Sequence, residues 1–320
     1  MIPAAAVDAL REVFGPRLEH DAPLGATTTY RVGGRAALRI VAESADDLVE
    51  IGRIVARHSV PVVVVGRGSN LLVADRGVDG LVVSLGEGLA AIEVDGVRVV
   101  AGGAALLPVV ARRTASAGLT GFEWAVGVPG TIGGGVRMNA GGHGSDMAAS
   151  VVGVRVVDLR TGEDCRMPAA DLALGFRRSA LVASQVVVEV ELRLATGSRD
   201  EAEAEIAEIV RWRREHQPGG ANAGSVFRNP LPDSSGRLLD EAGAKGLRVG
   251  SAEISTKHAN FIQVDEGGSA DDVAALMALA RRQVRERTGV DLHAETHFLG
   301  FDAQVADAAG AIRIDAEPTR

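Results

Sequence analysis

Cysteine is almost missing from this 320-residue chain: Cys165 stands alone, so no intrachain disulfide can form and no cysteine cage can hold zinc. Aromatic residues are scarce too, at 3 %, with Tyr30 the only tyrosine. Of the 34 basic residues only Lys245 and Lys257 are lysines, so arginine is the default cation and a surviving lysine is a marked position. No apolar stretch approaches the roughly 20 residues of a membrane span; the run Val60–Val65 has the length of a buried strand. Met1 to Gly15 shows no basic lead ahead of an apolar run, so no secretory signal is expected and the expected compartment is the cytoplasm. Acidic residues outnumber basic ones, 42 to 34, for a net charge of -8. That excludes a broad cationic surface for nucleic acid and leaves room for a local anion site.

What is present is ordinary globular material, 46 % apolar and 24 % charged. The length fits two or three domains. Residues 1–85 read as a small α/β unit: a strand Leu38–Ala42, a helix capped by Ser44 with Asp47 three positions on and Leu48, Ile51 and Val55 along one face, then strands at Val60–Val65, Leu71–Ala74 and Leu81–Leu85. Residues 86–198 offer strands at Ile92–Val94, Val97–Ala101, Val151–Leu159 and Val186–Leu194, a helix near Leu106–Ala117 and the Gly-rich stretch Gly127–Gly144. Strands and helices without regular alternation favour an α+β domain over a doubly wound one. The polar passage Thr196–Glu205 is expected to open a third domain, 199–301, with a helix through Ile206, Ile209 and Val210. A second helix there is capped by Ser269 with Asp272, and Val290–Leu299 is the expected closing strand. The Ala/Asp-rich tail, 302–320, carries no signal.

Two Gly-rich loops are the strongest local features. Gly66-Arg-Gly-Ser-Asn70 follows a buried strand, where successive N–H groups can form a nest for phosphate oxygens; a tight strand connection is the plain alternative. Gly127–Gly144 spends more glycine than a packing loop warrants, since ordering glycine is entropically costly. Two such loops in adjacent domains suggest one extended diphosphate ligand between them. No Walker A sequence occurs, and Gly86-Glu-Gly88 precedes strands rather than the helix a dinucleotide fingerprint requires. His293, Glu295 and His297 alternate onto one strand face; without further ligands nearby this reads as a polar cleft wall rather than a metal site, and leaves Glu295 free for acid/base work. In Phe176-Arg-Arg-Ser179 an extended backbone puts Arg177 and Ser179 on one face and Arg178 on the other. Ser225 follows a glycine at the head of an apolar strand, a weak signal by itself, and the absence of a Gly-x-Ser-x-Gly elbow disfavours a hydrolase.

Taken in order, these pieces resemble the UDP-N-acetylenolpyruvoylglucosamine reductase (MurB) family. The resemblance rests on Tyr30-Arg-Val-Gly-Gly34, Gly66-Arg-Gly-Ser-Asn-Leu-Leu72, Gly127-Val-Pro-Gly-Thr-Ile-Gly-Gly134, Met138-Asn-Ala140 and Phe176-Arg-Arg-Ser179. It continues through Ala223-Gly-Ser-Val-Phe-Arg-Asn-Pro230, Gly243-Ala-Lys-Gly246, Lys257-His-Ala-Asn-Phe261 and Leu292–Thr296. The short spacing from Ser179 to Gly224 resembles the family's compact type, which lacks a Tyr-bearing substrate loop. The resemblance implies an α+β fold: a two-subdomain FAD-binding module of the PCMH/vanillyl-alcohol-oxidase kind, plus a C-terminal α/β substrate-binding domain. It implies FAD reduced by NADPH and hydride passed to UDP-N-acetylglucosamine enolpyruvate, giving UDP-N-acetylmuramate for peptidoglycan. Gly66, Arg67, Gly68, Ser69, Asn70, Leu71, Pro129, Gly130, Thr131, Gly133, Gly134, Asn139 and Ala140 then match the cofactor loops. Arg177, Glu295 and the proton donor Ser225 match the catalytic positions, and Asn229 and Lys245 are candidates for the UDP-sugar. Arg228, Lys245 and His258 are the nearby groups in sequence that could polarise the serine. Phe176 stands where the family commonly has tyrosine, His293-Ala-Glu295-Thr departs from the usual pattern, and Arg67 replaces the histidine of flavinylated relatives of the fold, so noncovalent FAD is expected. No metal, nucleic acid or membrane partner is expected, and a monomer is. Two other readings are an oxidase of the same fold acting on a small alcohol and a flavin-free nucleotide-sugar binding module.

Overall fold

The computed structural model describes residues 2–316. Helix α1 (Ala4–Phe14) and helix α2 (Ala45–His58) pack on a four-stranded sheet ordered Leu18–Ala22, Ala36–Ala42, Val78–Leu85, Val62–Val64. The Ser44 hydroxyl accepts the Asp47 amide at 3.1 Å, while the Asp47 carboxylate takes the Glu43 amide at 2.8 Å, closing the start of α2. Leu48, Ile51 and Val55 are then buried between Ile40 and Val83 of this sheet and Val157 and Val186 of the next, so α2 lies between two sheets.

The second sheet is antiparallel, ordered Glu163–Pro168, Val151–Asp158, Gln185–Arg193, Arg98–Gly102, Ile92–Asp95. Helix α3 (Leu107–Ser116) covers it, as expected, and the Gly-rich stretch hides a short helix, α4 (Ile132–Arg137). The Thr131 hydroxyl starts α4 by accepting the Gly134 amide at 3.3 Å. Helix α5 (Arg199–His216) corrects an expectation. Its Ala202, Ile206 and Ile209 join Phe122 and Trp124 in the second core, so it closes this unit instead of opening the third. The polar passage is no linker. Thr196 ends a short strand paired with Leu119–Thr120, and from Arg199 the passage is the start of a helix whose N-cap, Ser198, accepts the Glu201 amide.

The third core holds helix α6 (Ser235–Glu241), a three-stranded antiparallel sheet (Arg248–Val249, Ala252–Ile254, Ile262–Val264) and helix α7 (Ala270–Thr288). Ser269 caps α7 as expected, and Asp75 from the first unit receives the Ala270 amide at 3.0 Å as well as the Ser269 hydroxyl. Tyr30, Val32 and Leu72 reach across into this core, so the Tyr30–Gly34 motif is packing. The closing strand is shorter than expected. Only His297–Leu299 is strand, paired in parallel with Leu71–Val73 of the first unit, because the residues before it run along the Ser225 segment through an Ala294–Phe227 bridge. The tail, read as carrying no signal, forms helix α8 (Ala303–Ala309) and a strand, Ile312–Ile314, parallel to His297–Leu299. Its Ala306 and Ala309 are buried in the third core; residues 317–320 lie outside the described residues.

Candidate active site

The three cores described above, with a smaller cluster around Val63, Val65, Leu71 and Val82, converge on one cavity of about 710 Å³. The Gly66–Leu71 loop forms one wall, and Pro129, Gly130, Thr131, Gly134 and Ala140 form the facing one. The loops touch: the Ser69 hydroxyl donates to Pro129 O at 3.0 Å. Gly130 is required here twice over, since its φ is 124° and a Cβ would stand 2.8 Å from Ser69 Oγ. An adjoining cavity of about 480 Å³ shares Gly66, Arg67, Thr131, Gly134, Arg137 and His297 and adds Gly133, making one long cleft for an extended ligand. Asn139 is placed differently from expectation. Its side chain is spent inside the protein, donating to Asp146 Oδ2 and Gly175 O at 3.1 Å each and accepting the Ala148 amide at 3.0 Å. It braces the second loop from behind and lines neither cavity.

Arg177 and Glu295, 118 residues apart, form an ion pair on the cavity wall, with side chains 21 % and 17 % exposed. The expected extended backbone is absent at Arg177. Gly175 and Arg178 exchange hydrogen bonds of 3.0 and 3.1 Å, and Arg177 sits in that turn at φ 54°. Its guanidinium reaches Gly141 O at 3.4 Å and lies 5.2 Å from the centroid of the Phe176 ring. Arg178 is exposed, while Ser179 donates to Arg137 O at 2.8 Å.

Ser225 lines the main cavity together with Glu295, and backbone pairing explains why. The Glu295 amide donates to Val226 O at 2.7 Å. Buried Asn260 clamps the other side: its Oδ1 accepts the Phe227 amide at 2.9 Å, its Nδ2 donates to Phe227 O at 2.8 Å, and its own carbonyl takes the Val226 amide at 2.9 Å.

Ser225 and Asn229 also line a second cavity of about 320 Å³, with Arg237, Lys245, Lys257 and His258 against the single carboxylate of Asp240. Lys245 is therefore beside the serine but outside the main cavity, bonded to Asp240 at 2.7 Å. Asn229 accepts the Ser235 amide at 3.0 Å, which leaves its amide nitrogen for a ligand. Of the three groups near Ser225 in sequence, Lys245 and His258 share its cavity and Arg228 lines neither.

His297 was read only as part of a polar face. Its ring nitrogen lies 3.4 Å from Asn70 Nδ2, which also donates to Glu295 O at 3.0 Å. Burial, then the charges of Arg228 and Arg137, push its pKa down to about 4. His293 is exposed, and among the described residues no group of three or more His, Cys, Asp or Glu could hold a metal ion. Arg137, Arg213 and Gln217 also reach the main cavity without having been singled out. One arginine among many carries no mark in a sequence this rich in them.

Residues 36–167 match an FAD binding domain, and residues 216–299 match the C-terminal domain of UDP-N-acetylenolpyruvoylglucosamine reductase. The reductase of Rubrobacter xylanophilus is 40 % identical over 91 % of this chain and 98 % of its own length. That of Acidiphilium cryptum is 41 % identical over 93 % and 96 %. The chain belongs to the UDP-N-acetylenolpyruvoylglucosamine reductase family. The crystal structure of the MurB reductase from Thermus caldophilus superposes with a TM-score of 0.78 at 35 % identity, covering 88 % of this chain and 98 % of that one. The matched C-terminal domain begins at His216, the last residue of α5. The α+β fold class, an FAD-binding module followed by the MurB C-terminal domain, holds. The cleft suits FAD: it is long, walled by the two glycine loops, and Arg137 Nη1 is buried on its wall without a partner.

Proposed function

We propose that the chain is the FAD- and NADPH-dependent reductase of UDP-N-acetylglucosamine enolpyruvate, forming UDP-N-acetylmuramate. The observation that carries this is the Arg177–Glu295 pair set beside Ser225, between the glycine loops and a second cavity rich in cations. Bound FAD supplies the chemistry of taking hydride from NADPH and giving it to the enolpyruvyl double bond. The protein's part follows from the substrate. Hydride arriving at the terminal carbon drives negative charge onto the carboxylate at the other, and the Arg177 guanidinium, aimed by Glu295, compensates that charge. Ser225 Oγ then gives a proton to the carbon bearing the carboxylate, so one hydride and one proton saturate the bond. A serine is a weak acid, and the Lys245 and His258 side of its cavity supplies the polarising charge and the route for a replacement proton. The cations there also suit the substrate's diphosphate, with Asn229 and Lys245 as its ligands.

We take the enzyme to act as a monomer in the cytoplasm; no helix among the described residues is long and apolar enough to cross a membrane. Anaerobic NADPH should bleach the purified yellow protein, and UDP-N-acetylglucosamine enolpyruvate should restore the colour with UDP-N-acetylmuramate as product. Acid denaturation should release the flavin, because Arg67 offers no link. Rapid recolouring by oxygen with turnover of a small alcohol would favour the oxidase reading, and a colourless protein the binding module.

A further inference from the structure

The guanidinium of Arg137, with its orphaned Nη1, is among the groups in the cleft that the chemistry above leaves unused, and it is the one that lines both cavities as a cation with a buried nitrogen unpaired. Helix α4 carries Gly134 and Arg137 three residues apart, hence on one face, and both line the main cavity and the adjoining one. Arg137 therefore stands where the two cavities join, against Gly66 and Arg67 of the first loop. Its Nη1 is buried without a hydrogen-bond partner, and burial holds its pKa below the ordinary value with no acidic group offsetting it. The carboxylates on the two walls are committed elsewhere: Glu295 to Arg177, and Asp315 to Arg313 at 2.7 Å. His297, at the same junction, is held neutral. A buried cation without an anion is costly, so the site is built to receive one.

Resting on the reading that this cleft holds FAD, we propose that Arg137 anchors the diphosphate of the bound dinucleotide. The diphosphate is the one permanently anionic part of FAD, and a guanidinium meets phosphate oxygens with two parallel N–H donors. Arg137 is thus a positioning residue that fixes the cofactor lengthwise between the glycine loops, leaving the chemistry to Arg177 and Ser225.

The test is titration of the deflavinated full chain with FAD, ADP and riboflavin, for the parent, Arg137→Met and Arg137→Lys. Arg137→Met should weaken FAD by on the order of 30-fold, as loss of a charged hydrogen bond to phosphate does. ADP should weaken by a similar factor and riboflavin not at all, with Arg137→Lys in between. The flavin-free Arg137→Met protein should melt no lower than the parent, because an unpaired buried charge has been removed; a structural arginine would lower it. Unchanged FAD affinity, or FAD and riboflavin weakening together, overturns the proposal. A parent that takes up no FAD overturns the reading of the cleft, and the anchoring role with it.

Discussion

Arg177 and Arg178 are adjacent and have opposite surroundings, the first against Glu295 and the second in solvent. Arg177→Ala should therefore lower turnover by roughly 10²-fold or more, and Arg178→Ala by only a few-fold, in steady-state assays. The sequence reading also set the two apart, but as alternate sides of a strand, whereas in the structure a turn with a left-handed Arg177 separates them. A backbone conformation uncommon for a residue with a side chain leaves no local trace in composition. His297 was only half legible for a related reason: alternation put it on the cleft face, but its burial depends on strands from two other parts of the chain. Its ring carries a pH prediction. With a folded pKa of about 4 against an ordinary 6.5, the unfolded chain takes up a proton that the folded one refuses. Stability of the flavin-free protein should be level above pH 6.5 and fall towards pH 4, by roughly 3 kcal/mol from this group. Urea midpoints measured across that range should show the loss, and His297→Asn should flatten it.

Elements marked by local chemistry were legible. The Ser44 and Ser269 caps start α2 and α7 where the hydroxyl and the acid three residues on require. Helix α4 was hidden because three of its six residues are glycine, the poorest helix former after proline, and tertiary packing of Ile132 and Val136 overrides that preference. Helix α5 was recognised as a helix but assigned to the wrong neighbour, since periodicity marks an apolar face and not what covers it. The segment carrying Ser225 depends on Asn260, whose side chain satisfies both backbone groups of Phe227. Asn260→Ala leaves them buried and unpaired, and should cost about 2–4 kcal/mol in denaturant melts. Turnover should drop as well, because the same clamp holds Val226, the neighbour of Ser225, against the backbone of Glu295.

At the scale of the whole molecule, the cleft exists because three cores share their edges. The strand His297–Leu299, whose Phe298 is packed in the third core, pairs with Leu71–Val73, directly after the first glycine loop, and this carries Glu295 to Asn70 and onward to Arg177. The ordered motifs named residues on the walls of that cleft, but only long-range pairing brings Arg177, Ser225 and Glu295 to one cavity, and no spacing along the chain encodes the distance between them. Ser225 lines the cation-rich cavity as well as the main one, and the proposed mechanism gives it no part in the arrival of hydride from NADPH. Stopped-flow mixing of Ser225→Ala tests this most directly. NADPH should bleach the flavin at close to the parental rate, and UDP-N-acetylglucosamine enolpyruvate should restore the colour about 10²–10⁴-fold more slowly than in the parent, the loss expected for a missing proton donor. Equal slowing of both phases, or slowing of neither, would contradict it.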